Sequence, residues 1–345
     1  MRRSRSRLAV GLSTLVLAGF VAAGPAQALT INPTFDSSFN SLSQTQQQGI
    51  KDAFSAAAGA YQSALSDSVT INIKVSWGSV GGYAMPTNAL GASLDPLYGY
   101  FTYAQIKSWL KADSSSSYDS TAIANLPASS PVGNRFVLPS AEAKALGLIN
   151  GYATAYDGYI GFGTGVSYDY NPRDGGISSG SYDFTTVVAH EIDEVLGRIS
   201  GLSGYSPSWA TPFDLFRCSS LSGTRNFSYS AASYFSIDGC KTNMGNFNNV
   251  GSGDRSDWAS AASFSDIQDA YLYPGVTGTL STSDLMGLDV IGWGYGPGAP
   301  GFGLSPLSLA VVGLNGVPVP EPSTLALLGL GALGLWLLQR RRLPA

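Results

Sequence analysis

The chain has 345 residues and a formal charge of −4, but its 19 basic and 23 acidic residues are unevenly distributed. Seven basic residues and one acidic residue lie before residue 29 or after residue 317, so the stretch between carries 12 basic and 22 acidic residues, a charge of −10. A surface of this sign repels phosphate groups, which argues against nucleic acid or anionic lipid as a partner.

The first 28 residues have the features of a secretory signal peptide. Four arginines form a basic start, an apolar stretch covers residues 8–24, and Ala26 and Ala28 supply small side chains for cleavage. We therefore predict that residues 1–28 are a signal peptide and that the folded domain begins at residue 29.

The next 150 residues alternate between helical and strand patterns. Apolar residues recur at helical spacing over residues 41–65, whereas over residues 69–77 they alternate with polar ones, as in a half-buried strand. Further helices are predicted at residues 103–112 and 140–146, and strands with tight turns at residues 151–170.

The second half begins with a helix and then becomes rich in turn residues. Asp183 is a suitable N-cap for a helix whose apolar residues, among them Val188, Ile192 and Val195, recur on one face. Turn residues dominate to about residue 253, a helical pattern returns at residues 283–291, and residues 294–317 have the Gly and Pro density of a linker. The expected fold class is α+β, with a mixed sheet and long helices in an N-terminal lobe and a turn-rich C-terminal lobe.

Cys218 and Cys240 are the two cysteines of the chain. Two thiolates could join a metal site, but an exported protein meets an oxidising compartment in which a disulfide is favoured. We therefore predict a disulfide between them.

His190, the single histidine, lies in the segment His190-Glu191-Ile192-Asp193-Glu194 of the predicted helix. The zinc helix of many metallopeptidases has two histidines four residues apart and a glutamate after the first as general base. Glu194 occupies the second histidine position, and residues i and i+4 share a helix face, so both side chains can reach one ion. Two other interpretations stay open: a pair between Glu194 and Arg198, and a core histidine without a metal.

Several segments together resemble a family of bacterial zincin-like metallopeptidases related in layout to metzincins. Besides the helix, they are INPTF at residues 31–35, VTINI at 69–73, DLFR at 214–217, YFSIDG at 234–239 and SDLMGLDVIGW at 283–293. The resemblance implies a zincin-like domain over residues 29–293, His190 as first zinc ligand, Glu191 as general base and Glu194 as second ligand.

The third ligand departs from this pattern. A metzincin would place it at position 200, where Ser200 is a poor zinc ligand. Asp214 is the best replacement because a turn-rich segment before it allows it to fold back, and Asp238 and Asp254 are lesser candidates. The expected cofactor is Zn²⁺, or another divalent metal.

Two functions are compatible with this site. The first is an exported zinc-dependent endopeptidase in which Glu191 and the metal activate water against a peptide bond of a protein or peptide substrate. The alternative is an inactive zincin-like scaffold that binds at the cell surface or in the matrix.

Residues 318–345 resemble the PEP-CTERM sorting signal. Val319-Pro320-Glu321-Pro322 is followed by an apolar segment at residues 325–338 and by three arginines at residues 340–342. The resemblance implies transient membrane association through this segment and processing by an exosortase-type membrane enzyme. It implies a final location at the cell envelope or in the extracellular matrix of a Gram-negative bacterium.

Overall fold

The structure, a computed structural model, describes residues 29–133, 135–171, 176–202, 209–220, 223–251, 253–259 and 265–295. The predicted signal peptide at residues 1–28, nearly all of the predicted linker and the predicted sorting tail at residues 318–345 lie outside these residues. Within the described part, helices and several sheets are mixed, which confirms the α+β class. The helices described there include none that is both long and apolar enough to cross a membrane.

The elements follow one another along the chain with these bounds. The helices are α1 (Gln44–Ala64), α2 (Tyr103–Asp113), α3 (Ser117–Asn125), α4 (Ser140–Ala145), α5 (Phe184–Leu196) and α6 (Thr282–Asp289), with 3-10 turns at Ser37–Ser41 and Phe213–Phe216. The strands are β1 (Thr30–Phe35), β2 (Thr70–Trp77), β3 (Ser79–Val80), β4 (Tyr83–Ala84), β5 (Gly91–Leu94), β6 (Leu97–Phe101), β7 (Phe136–Pro139), β8 (Gly158–Phe162), β9 (Tyr168–Asp169), β10 (Tyr182–Asp183), β11 (Arg217–Ser219), β12 (Ser233–Phe235) and β13 (Gly245–Asn246).

A four-stranded sheet in the order β1-β2-β8-β5 forms the framework of the first half. The first three strands are parallel, because α1 carries the chain back between β1 and β2, whereas β5 pairs antiparallel with β8. Ile71, Ile73 and Val75 of β2 are fully buried, as the alternating pattern predicts.

Helix α1 packs across this framework and contacts α5. A capping box of Ser43 and Gln46 starts it, and Ile50, Phe54 and Ala57 are fully buried on one face. Near its end, the Tyr61 hydroxyl donates a hydrogen bond to the carbonyl of Ala189 in α5 at 2.7 Å. Helix α5 is thereby tied to α1 immediately before His190.

Helix α5 is buried on every side. Asp183 caps it, accepting a hydrogen bond from the Thr185 backbone N–H at 2.9 Å, as predicted. All 13 residues of the helix are buried, not just one face, because α1, α4, β5 and β8 pack against it and the segment of Ile267 and Gln268 is bonded to it. Gly197 ends the helix with φ of 121°, a conformation that L side chains rarely adopt.

The C-terminal part has little regular structure and is stabilised by a disulfide bond and by packed aromatic rings. Strands β11, β12 and β13 form an antiparallel sheet, and the predicted disulfide Cys218–Cys240 is present, with a Cα–Cα distance of 5.6 Å. A loop of this length gives a chain-entropy stabilisation of about 3 kcal/mol. Phe213, Phe247 and Trp258 pack together beneath the sheet.

Candidate metal centre

Helix α5 presents three chemically reactive side chains to the interior of the protein. His190, Glu191 and Glu194 are only 4%, 0% and 2% exposed. His190 and Glu194 are one helical turn apart, and His190 Nε2 lies 3.8 Å from Glu194 Oε1. The helix thus brings these two predicted ligands together in a position shielded from solvent.

The imidazole of His190 is oriented by a backbone contact on its other nitrogen. Nδ1 lies 2.8 Å from the carbonyl oxygen of Ile267, which can only accept, so Nδ1 carries the proton. In the neutral ring the lone pair is then on Nε2, the atom that faces Glu194. This is the tautomer that a metal-binding histidine adopts when a carbonyl holds its other nitrogen.

Asp257 is the third member of the group and comes from a different part of the chain. It lies in the irregular segment between β13 and α6, its side chain is 1% exposed, and its Oδ1 is 4.0 Å from His190 Nε2. One ligand atom from each of His190, Glu194 and Asp257 lies within 4.8 Å of the others. Over the residues that the structure describes, this is the one group of three such side chains.

The distances from His190 Nε2 to the two carboxylates are compatible with a shared cation. The distances of 3.8 and 4.0 Å from His190 Nε2 are too long for hydrogen bonds. Two atoms that each bind one ion at about 2.0–2.2 Å can be up to roughly 4.4 Å apart, so both distances suit ligands of one ion. A nitrogen and two carboxylates are also a donor set that zinc accepts.

The two buried carboxylates create a negative potential around His190 Nε2. Burial acts to lower the pKa of His190, but the carboxylates of Asp257 and Glu194 outweigh it and raise the pKa above its ordinary value. Burial raises the pKa of Asp257 to about 6 although His190 opposes the shift. A proton on His190, a proton on Asp257 or a metal ion would each reduce this buried negative charge.

Strand β5 positions both glutamates of the helix. Ser93 donates a hydrogen bond to Glu194 Oε2 at 2.8 Å, which leaves Oε1 facing His190. Two residues earlier, Gly91 lies against Glu191: a Cβ atom at Gly91 would be only 2.1 Å from Glu191 Oε1. The missing side chain at Gly91 is therefore what makes room for the carboxylate of Glu191.

Asp214, the predicted third ligand, does not belong to this group. Its carboxylate accepts hydrogen bonds from the Ser200 hydroxyl at 2.6 Å and from the backbone N–H groups of Gly201 and Thr211 at 2.9 Å each. With both oxygens occupied in this way, Asp214 fastens the segment that follows α5. The structure brings Asp257 to the position that the sequence analysis gave to Asp214.

The two lesser candidates also hold turns. Asp238 Oδ1 accepts hydrogen bonds from the backbone of Lys241 and Thr242, directly after the disulfide cysteine Cys240. Asp254 Oδ1 accepts from the backbone and the hydroxyl of Ser256. Neither aspartate is part of the group around His190.

The sequence left open a pairing of Glu194 with Arg198, but Arg198 pairs with two aspartates instead. Arg198 Nε lies 3.7 Å from Asp193 Oδ2, and Arg198 Nη2 lies 3.8 Å from Asp284 Oδ1. Its guanidinium also covers the ring of Trp258, 4.2 Å from the centroid. Glu194 is consequently directed toward β5 and His190.

Sequence reasoning missed Asp257, Gly91 and Ser93. Asp257 lies three residues after a considered candidate, Asp254, in a segment without helical or strand periodicity, so its direction could not be read from spacing. Gly91 and Ser93 share one face of β5, which was not predicted as a strand. An i, i+2 pattern of small residues was the one signal available there.

Comparison with known proteins identifies one motif. Residues 318–342 match the PEP-CTERM protein-sorting motif. Among curated proteins and among solved structures, none matches the chain. The motif implies an exported protein that is sorted to the cell envelope and processed by an exosortase-type enzyme.

Proposed function

We propose that this protein is an exported, metal-dependent endopeptidase in which Glu191 is the general base. The observation that carries the proposal is the convergence of His190, Glu194 and Asp257 on one buried point, with Glu191 adjacent to His190 in the same helix. The sorting motif and the sequence resemblance to zincin-like metallopeptidases support it, and we assign the α+β arrangement to the zincin-like folds on the same basis.

His190, Glu194 and Asp257 would hold the metal. Zinc is our first choice, because it accepts one imidazole nitrogen with carboxylate oxygens. Two carboxylates cancel the charge of a divalent ion, which lowers its power to acidify water and favours an alkaline optimum. An oxygen-rich donor set also suits a harder ion such as Mn²⁺.

The residues of the chain have distinct tasks in this reaction. The Ile267 carbonyl keeps the proton on Nδ1 of His190, and Ser93 keeps Glu194 Oε1 turned toward Nε2. A bound divalent ion supplies Lewis-acid chemistry, polarising a carbonyl and making water more acidic. Glu191 takes a proton from the attacking water and transfers it to the leaving amine nitrogen as the peptide C–N bond breaks.

One observation favours a second function, a binding scaffold with a structural metal. Structural metal sites are closed, whereas catalytic sites keep an open position. His190, Glu191, Glu194 and Asp257 are each at most 4% exposed. Hydrolysis requires that a segment over the site opens to admit substrate.

Glu191→Gln separates the two functions. We expect hydrolysis of casein or of a peptide library, measured by mass spectrometry, to fall by about 10²–10⁴-fold, because the general base is lost, while zinc binding is retained. Glu142→Gln is the matched control, since Glu142 is equally buried but lies on α4. Equal activity of Glu191→Gln and wild type would refute the mechanism, and zinc binding without hydrolysis by wild type would favour the scaffold.

A further inference from the structure

Arg198 is a fully buried cation that lies just past the end of helix α5. It is 0% exposed, and its guanidinium lies between the rings of Trp258, at 4.2 Å, and Phe213, at 5.2 Å. Desolvating a charge costs several kcal/mol, and a hydrophobic residue often serves stability as well. The contacts of Arg198 therefore need an explanation beyond packing.

The first set of contacts joins Arg198 to Trp258, the residue that follows Asp257. Asp284 Oδ1 lies 3.8 Å from Arg198 Nη2 and also accepts the indole N–H of Trp258 at 2.8 Å. The Trp258 ring is thus held on its face by the guanidinium and at its edge by Asp284. Since Trp258 directly follows Asp257, these contacts fix the backbone that carries the proposed ligand.

The second set of contacts joins Arg198 to His190 through Gln268. Arg198 Nη1 donates to Gln268 Oε1, and Gln268 Nε2 donates to the backbone carbonyl of His190 at 3.1 Å. The residue before Gln268, Ile267, supplies the carbonyl that orients the His190 ring. In addition, the backbone N–H of Trp258 donates a hydrogen bond to the backbone carbonyl of Gln268 at 2.7 Å. This bond connects the two sets of contacts.

We infer that Arg198 is a positioning residue of the metal centre, which holds Asp257 at binding distance from His190 and Glu194. The inference rests on the proposed metal site. A guanidinium suits this task because it stacks on an aromatic face while Nη1 donates to Gln268 and its charge pairs with Asp284 at 3.8 Å, which a lysine ammonium cannot reproduce. Asp193, 3.7 Å away on α5, anchors the guanidinium to the helix that carries the other two ligands.

The test compares zinc affinity in wild type, Arg198→Lys and Arg198→Met by competition with a chelator. We expect affinity to fall by about 10–100-fold in both variants, as for other residues that orient metal ligands. The visible spectrum of the Co²⁺-loaded protein should also change, because Asp257 would leave its place in the coordination shell. Measurements are made at a temperature at which circular dichroism shows each variant folded.

Lys144→Met is the matched control for the loss of a buried, paired cation. Lys144 on α4 is 2% exposed and bonds Asp157 at 2.6 Å, so its removal leaves a buried carboxylate as removal of Arg198 does. We expect it to lower stability while zinc affinity stays within about twofold of wild type and the Co²⁺ spectrum stays unchanged. An equal loss of affinity in Lys144→Met would mean that general destabilisation, not positioning, is responsible, and would overturn the inference.

Gln268→Met provides a second, milder variant that keeps the buried charges. It removes the link from Arg198 to the His190 carbonyl, and we expect zinc affinity to fall about tenfold, the lower end of such effects. If wild type binds zinc and neither the Arg198 variants nor Gln268→Met change affinity or spectrum, the inference is wrong and the metal site stands. Failure of wild type to bind zinc or Co²⁺ would overturn the site itself.

Discussion

The two halves of the protein contribute to the candidate site in different ways. The first half, through residue 196, supplies His190, Glu191 and Glu194 from one regular helix and supports them from β5. The second half supplies Asp257 from a segment without regular structure, held by Trp258, Arg198 and Gln268. Helical periodicity brings the first set together and a few contacts orient the side chains, whereas the second needs a dedicated set of buried polar contacts.

The largest effect should come from replacing the ligand of the second half. A zinc site of four ligands has a binding free energy of roughly 10–16 kcal/mol, or about 2.5–4 kcal/mol per ligand, and Asp257→Asn should cost about one such share. Zinc affinity, measured by chelator competition, should therefore fall by more than about 100-fold.

Asp214→Asn is the matched comparison for this prediction. Its carboxylate holds Ser200, Gly201 and Thr211, so the variant should lose stability but keep its zinc affinity. The opposite outcome, a loss of zinc in Asp214→Asn with normal binding in Asp257→Asn, would restore the ligand that the sequence analysis preferred.

A smaller effect is expected from Gly91→Ala in the first half. The new Cβ would lie 2.1 Å from Glu191 Oε1 and must displace that carboxylate. Since a misplacement of about 1 Å can cost 10²-fold in rate, hydrolysis should fall by roughly 10–100-fold while zinc affinity stays near that of wild type. Casein hydrolysis and chelator competition measure the two quantities separately.

Gly59→Ala in α1 is the control for the substitution itself. A Cβ there would meet no atom within 4 Å, so this variant should be active and slightly more stable. If Gly91→Ala loses zinc as strongly as Asp257→Asn, Gly91 supports the metal ligands rather than Glu191, and the role assigned to Gly91 is wrong.

The regular parts of the fold were predictable from local pattern. The helix predicted at residues 41–65 and the strand at residues 69–77 match α1 and β2, and Asp183 caps α5 as expected. Helix α3 was not predicted, because its start at Ser117 follows a run of serines that is typical of a loop; a capping box of Ser116 and Asp119 is its local signal.

The candidate site was predictable only as far as it follows helical spacing. The i, i+4 relation predicts that His190 and Glu194 share a face, and the structure has them 3.8 Å apart. The location of Asp257 depends on contacts between residues far apart in sequence: Trp258 and Arg198 are 60 residues apart, and Gln268 and His190 are 78 residues apart. Such long-range contacts leave no local signal, which is why the sequence favoured Asp214 instead.

The smallest expected effects concern the pH dependence of stability, which should have opposite signs for one carboxyl group in each half. Burial raises the pKa of Glu142 well above its usual value, and no hydrogen-bond partner for its carboxyl oxygens is found in the described part of the chain. As pH rises above about 4.3, the unfolded state releases the proton that folded Glu142 keeps, so wild type loses stability. Glu142→Gln lacks this loss, so its stability relative to wild type should increase steadily as pH rises above about 4.3.

Asp238 in the second half should show the opposite slope: although burial opposes the shift, hydrogen bonds from Thr242, Ser236 and Lys241 lower its pKa to about 2. Its stabilisation is present above about pH 3.9 and is lost as pH falls through 2, so Asp238→Asn should differ from wild type at neutral pH and converge with it in acid. Urea unfolding of both variants and wild type across this pH range measures the two slopes, and a shared sign would contradict the assignment of Glu142 as a buried, neutral acid.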